Sequence, residues 1–347
     1  MRNVGFFLPA LLGFVLVQAS PVYALAAISK KQGWAGFVSI GGGFTDVKSN
    51  TAAGNSIIDG GNAVIRSINQ SPKSESGTNF IGGSEIRYTF SNQNEIFFGG
   101  SLEDALTLDF GTQLGWRKQA ENAGIFQTSF LFSSIPTEVW EDPYLTGVKR
   151  KKTDRDSTGV RFVWDRIMGT AFEFTAQARK LEYDRERSGT DPILGCDLAC
   201  QSLLDRNGDQ YQAWLSYTFR VAERHILRPQ IRLRSEDRDG DAQARDVYGL
   251  QMTYSYLGAK WTFVTNAFFS QSEFDKANPL YGRRQDADSV VVDATLLYRL
   301  PTESGRWQAL GSVLWGDADS DINFHDNELN MVNLGVIYNF GNQPGRP

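Results

Sequence analysis

The stretch ILRPQIRLRSE, Ile226 to Glu236, alternates two chemistries. Successive side chains of a strand point to opposite faces. Arg228, Gln230, Arg232 and Arg234 therefore share one face, and Leu227, Pro229, Ile231 and Leu233 the other. In a soluble sheet the guanidinium face would meet bulk water. In a membrane-spanning sheet it must line an interior, because an arginine on the lipid side near the midplane costs roughly 2–4 kcal/mol. The rest of the chain decides between these settings.

Period-two alternation recurs almost everywhere. Phe80, Gly82, Ser84, Ile86, Tyr88 and Phe90 alternate with Asn79, Gly83, Glu85 and Arg87. Phe110, Thr112, Leu114 and Trp116 alternate with Asp109, Gly111 and Gln113, and Tyr211, Leu215, Phe219 and Val221 alternate with Gln210, Gln212, Ser216 and Arg220. No helical periodicity of useful length competes. The pattern predicts 14 strands, starting near Gly33, Thr78, Glu95, Ala105, Gly124, Thr158, Thr170, Gln210, His225, Arg245, Lys260, Asp288, Arg306 and Leu329.

The connections alternate in length. Short turns such as SNQN, VAERH and PTESG lie between long polar segments, among them Thr45–Gly77, Ser133–Ser157, Asp184–Asp209 and Asp317–Glu328. An even strand number with short turns on one rim and long loops on the other describes an outer-membrane barrel. Aromatic residues agree: Trp34, Tyr88, Phe90, Trp116, Trp164, Phe219, Trp261, Trp307 and Tyr338 cluster at strand ends beside short turns, on the lipid parity. Such rings favour the depth where hydrocarbon meets water. Pro229 lacks a ladder donor, so a distortion is expected there.

Composition narrows the class further. Thirty-five basic residues against 40 acidic give a net charge of -5, which argues against nucleic acid as a partner. Arg2, an apolar run from Val4 to Val17 and the small residues of QASPVYALAA predict a cleaved signal peptide over residues 1–26. Residues 27–347 then form a single domain. Its predicted fold class is all-β, a transmembrane antiparallel up-and-down barrel of about 14 strands in the outer membrane of a Gram-negative bacterium. Its partners are membrane lipid, lipopolysaccharide and the barrel assembly machinery, to which the final strand, LNMVNLGVIYNF, presents alternating apolar residues ending in Phe340. Monomer and trimer both remain open. Cys196 and Cys200 predict a local disulfide in an oxidising compartment.

Strand parity places Arg161, Glu173, Arg220, Arg228, Gln230, Arg232, Arg234 and Arg245 inside, as candidate pore-lining residues. They would attract anions or orient solutes, as charged walls do in aqueous pores. The competing reading is that interior arginines pair with carboxylates and only brace the barrel. Thr45–Gly77 and Ser133–Ser157 are long enough to fold inward as constrictions. The function expected is a passive channel, or an uptake pore for a small hydrophilic solute, with no cofactor, metal or catalysis. The alternative is a structural or hydrolase-type barrel with a plugged lumen. Asp317, Asp319, Asp321, Asn323 and Glu328 have the spacing of a calcium loop, but Ile322 stands where the turn needs glycine and the flanks are strands. Hydration, or divalent ions bridging to lipopolysaccharide, is the expectation there. His225 falls in a short turn and His325 in an acidic loop, neither tied to a serine.

Two segments carry a family resemblance. GWAGFVSIGGGFTDVKSN near the start and EVWEDPYLTGVKRKKTDRDSTGVRFVWDRIMGTAFEFTAQ, Glu138 to Gln177, resemble an uncharacterised family of Gram-negative outer-membrane proteins, a domain of unknown function. The resemblance implies location and barrel architecture. It implies no substrate and no site residue.

Overall fold

The computed structural model describes residues 28–55, 61–104 and 109–341; the predicted signal segment, 1–26, lies outside them. The first strands are β1 (Gly33–Lys48), β2 (Ala52–Asn55), β3 (Ser74–Thr89), β4 (Asn94–Asp104), β5 (Asp109–Ala120) and β6 (Gly124–Ile135). Then come β7 (Thr137–Trp140), β8 (Lys152–Asp165), β9 (Phe172–Tyr183), β10 (Gly208–Tyr217), β11 (Phe219–Ala222) and β12 (His225–Arg238). The last are β13 (Arg245–Leu257), β14 (Trp261–Phe274), β15 (Ala287–Arg299), β16 (Trp307–Ser320) and β17 (Asn327–Gly341). The helix α1 (Leu198–Leu203) is a single short turn of loop.

All of these strands belong to one antiparallel sheet, and β1 pairs with both β3 and β17, so the sheet closes on itself. Three strands of four residues, β2, β7 and β11, are additions to the 14 staves of the barrel. Closure is what a membrane demands, since hydrocarbon gives backbone groups no water to bond.

Burial on β12 settles the opening question. Ile231 and Leu233 are 55% and 51% exposed, whereas Gln230 and Glu236 are 7% and 5% exposed. The leucine face is the outer one. The same holds around the barrel for Val38, Ile86, Leu114, Val160, Leu250, Val313 and Leu334, all exposed apolar residues. The predicted aromatic band forms a belt of ring pairs between neighbouring strands: Trp34–Tyr88 at 5.0 Å, Phe126–Trp164 at 5.5 Å, Phe172–Tyr217 at 4.7 Å, Trp261–Tyr298 at 4.2 Å and Trp307–Tyr338 at 4.8 Å. Amphipathic rings at one depth mark the periplasmic interface.

Glycines let β1 and β17 approach closely. A Cβ on Gly41 would lie 2.7 Å from the Gly335 Cα, and one on Gly43 would collide with the Val332 carbonyl. Beside them an apolar hollow of about 630 Å³ is lined by exposed Phe44, Val313, Trp315 and Val332.

Parity fails at irregularities. The β5–β6 register shifts between Phe110 and Gly111, and Phe110, expected on the lipid face, is buried against Val47, Ile81 and Met331 inside. The predicted distortion at Pro229 is a break in the partner strand: β10 ends at Tyr217, β11 begins at Phe219, and Thr218 N–H turns away to donate to Ala171 O at 3.1 Å. A second register shift follows between Arg220 and Ala222.

Between β3 and β4 the ladder is short. Among the described residues it covers Glu85–Thr89 against Glu95–Gly99, although β3 runs on to Ser74 and β4 to Asp104.

Candidate functional site: the lumen and its cap

The lumen has two unlike walls. On β8 to β14 arginines and aromatics are interleaved among inward polar residues such as Gln177, Gln210 and Gln230. Trp214 on β10 stands between Arg161 and Arg232, whose guanidinium carbons lie 5.7 and 5.2 Å from its ring centroid. Arg232 also lies 5.3 Å from the Phe268 ring. Cations over ring faces are attracted by the ring quadrupole, which helps to hold this row. Below it, Arg228 Nη2 donates to Glu173 at 2.6 Å and its Nε to Ser216 Oγ at 3.0 Å. Above it, the single carboxylate of Glu236 meets Arg234 at 3.2 Å, Arg238 at 2.8 Å and Arg245 at 3.0 Å. Gln210 donates to the same carboxylate at 3.2 Å. Three guanidiniums thus surround one carboxylate at that end of the wall.

The opposite wall, on β15, β16, β17, β1 and β3, sets an apolar cluster among buried Thr45, Asn79, Thr295, Ser312 and Asn333. Val47, Ile81, Leu297, Leu310, Leu329, Met331 and Ile337 form one buried cluster with Phe110, and Phe37 and Leu314 pack on it. Near the periplasmic end of β3 to β6 sits a balanced network. Arg117 reaches Glu95 at 3.1 Å, Glu85 at 3.3 Å and Gln127 at 2.7 Å, while Arg87 reaches Glu85 at 2.8 Å. Two cations and two carboxylates cancel. This corner braces the wall.

The extracellular mouth is covered. Ile65, Tyr144, Leu204, Ile322 and Phe324 form a second buried cluster, joined by Ile68, Leu194, Leu280 and Tyr281. These residues come from five loops rooted around the whole rim, so they meet over the lumen. The segments Ala52–Asn55 and Thr137–Trp140 pair as strands within this cap. Polar groups lock it. Arg150 is 2% exposed and donates to the carbonyls of Asn50 and Pro143, each at 2.6 Å, and to that of Asn62. Its guanidinium lies 4.4 Å from the Trp140 ring. Burial pulls the Arg150 pKa down to about 9. Asp142 accepts from the N–H groups of Tyr144, Gly189 and Asp191 at 2.9 to 3.1 Å, and burial still raises its pKa. Tyr281 Oη donates to Ile68 O at 2.6 Å, and Asn278 Nδ2 donates to Tyr144 Oη at 3.1 Å.

A family model described as "Protein of unknown function (DUF2860)" matches residues 33–339. The chain belongs to that family. No curated protein matches it in sequence. Among solved structures, the DUF2860 chain is similar to the COG4313 outer membrane channel from Pseudomonas putida F1, at 10% identity and a TM-score of 0.46 over 94% of this chain and 100% of that one. It is similar to the outer membrane channel DcaP of Acinetobacter baumannii, at 11% identity and a TM-score of 0.40 over 89% and 97%. A Pseudomonas aeruginosa FadL homologue shows 8% identity and a TM-score of 0.42 over 88% and 89%.

Of the candidate pore-lining residues, the DUF2860 barrel places Arg161, Glu173, Arg228, Gln230, Arg232, Arg234 and Arg245 along one inner wall. Arg220 lies in β11 opposite buried Ile226, ahead of the register shift, and is exposed at the periplasmic rim. Trp214, Arg117, Arg238 and Glu236 were missed. Trp214 lies on the same parity as Gln212 and Ser216, but an aromatic among outward aromatics gives no signal of its own. Arg117 and Arg238 sit where strand ends read as turns.

Cys196 and Cys200 are disulfide-bonded. In the acidic segment, Asp326 accepts from Ser320 N–H at 3.0 Å and Glu328 pairs with Lys48. Among the described residues no three candidate ligands converge on a metal position. His225 Nδ1 lies 2.8 Å from Tyr254 Oη, and His325 packs on Tyr144, Phe324 and Tyr281.

Proposed function

We propose that this outer-membrane barrel is a passive channel that favours anionic solutes and that the extracellular cap restricts entry. The observation that carries the reading is the row Arg161–Trp214–Arg232–Phe268. This row belongs to a wall on which Arg161, Arg228, Arg232, Arg234 and Arg245 outnumber the neighbouring carboxylates Glu173 and Glu236, whereas in the opposite corner Arg87 and Arg117 are matched by Glu85 and Glu95. Fixed charge along a water-filled wall selects permeant ions by sign.

Planar-bilayer recording tests this. In a salt gradient the wild-type reversal potential should lie on the anion side, and Arg232→Glu should move it toward the cation side while the barrel stays folded. No conductance, or a reversal potential indifferent to Arg232→Glu, would remove the proposal. A catalytic reading finds less support, because His325 contacts three aromatic rings and its loop offers it no serine partner.

A further inference from the structure

The residues just ahead of β1 reach into the barrel. Ile28, five positions before Gly33, is 5% exposed and packs with Ile125 of β6 and Val163 of β8. Both partners face inward. Their neighbours Phe126 and Trp164 stack on the lipid side, whereas Gln127 and Asp165 are buried like them. Between β1 and β6 stand β3, β4 and β5, so residues 28–32 form a strap across that sector of the periplasmic end. One register row joins the root of the strap to its tip. Gly33 faces Thr89, Thr89 faces Glu95, Glu95 faces Arg117, Arg117 faces Gln127, and Gln127 faces Val163.

The strap has a hinge, an exposed middle and one apolar anchor. Gly33 has a φ of 136°, a region that favours glycine, and there the chain leaves the wall for the bore. Gln32 Nε2 donates to Tyr88 Oη at 2.8 Å and fixes the root against β3. Lys31 N–H donates to Ser29 Oγ at 3.1 Å, and the Ser29 hydroxyl donates to Lys31 O at 3.2 Å, which folds the middle into a tight local turn. Lys30, Lys31 and Gln32 are exposed, and Ile28 alone of the five is buried. The row beneath is paired within itself. Thr89 Oγ1 donates to Glu95 at 3.0 Å, and Arg117 reaches Glu95 at 3.1 Å and Gln127 at 2.7 Å. A segment held by one small apolar contact opens locally while the surrounding ladders stay intact.

We propose that residues 28–32 are a periplasmic gate. With Ile28 docked on Ile125 and Val163 the strap narrows the inner end of the lumen; with Ile28 released it swings on Gly33 and that end widens. The gate rests on the channel reading for what it controls, whereas the docking stands on the packing alone. The cap restricts the outer mouth and the strap acts on the inner one, so the two ends of the bore are governed by separate elements.

The test pairs spin labelling with conductance on the barrel reconstituted in lipid bilayers. A nitroxide on Lys30→Cys, an exposed position, should be immobilised in the otherwise wild-type chain, and adding Ile28→Ser should free it. Because Ile28 precedes β1, this variant leaves every ladder intact. In single-channel recordings Ile28→Ser should raise the mean conductance several-fold. Val163→Ser should do the same, and the double variant should go no further, since both changes remove one contact. Ile28→Val should stay near the wild type. A nitroxide already mobile in the wild-type chain, or one freed by Ile28→Ser while an existing conductance stays unchanged, would overturn the gate and leave the channel standing. Silence of the wild type and of every variant, with the nitroxide freed, removes the channel reading and the gate with it. Current through Ile28→Ser where the wild type is silent supports both.

Discussion

Trp214 shows how one side chain can organise a wall of like charges. It stands between guanidiniums from β8 and β12, so two cations share one ring. Desolvated cation–π contacts are worth up to about 2 kcal/mol each and exposed ones about half that. Trp214→Ala should therefore lower stability by about 1–2 kcal/mol in urea unfolding of the lipid-reconstituted barrel, with Trp214→Phe losing less. Equal losses for both variants would mean that the ring contributes packing alone. Residue-scale placement was legible wherever alternation ran unbroken: Arg228, Arg232 and Arg234 lie inside, with Ile231 and Leu233 outside. It failed at Phe110, which is buried beside a register shift that leaves no compositional mark.

Among the elements, the loops depart furthest from what the sequence offered. Ser133–Ser157 reads as a polar loop, yet β8 begins at Lys152 and β7 pairs with it, so much of that segment prolongs a hairpin above the membrane. The length of Thr45–Gly77 and Ser133–Ser157 pointed to loops that fold inward, but the residues that join them into a cap were not legible. Ile65, Tyr144, Leu204 and Phe324 are isolated apolar residues in charged segments, and only closure of the barrel brings them together. His325 lies in this cap, and burial, then the Arg245 charge, lowers its pKa from 6.5 to about 3. Between those values the folded cap binds fewer protons than the released one, so the cap is at full strength above pH 6.5 and weakens as pH falls toward 3. Hydrogen exchange should show protection at residues 61–70 and 141–150 declining over that window beyond the intrinsic change in rate, and His325→Gln should flatten the decline. Protection constant throughout the window would show that the imidazole is not confined by the cap.

At the scale of the whole molecule, strand number, closure and the periplasmic aromatic belt follow from period-two alternation and from the rhythm of short and long connections. Those signals are local and repeat around the circumference, which is why they survive in a single sequence. The asymmetry of the lumen is different. It depends on which strands come to face each other across the bore, and that is fixed only when β1 meets β17. The most direct measurement returns to β12. A nitroxide placed singly at each position from Gln230 to Arg234, in reconstituted bilayers, reports collision with lipid-soluble oxygen or with a water-soluble nickel complex. Oxygen contact should peak at Ile231 and Leu233, and nickel contact at Gln230, Arg232 and Arg234. A profile without alternation, or one in which Arg232 is the oxygen-rich position, would contradict the assignment of lipid and lumen faces.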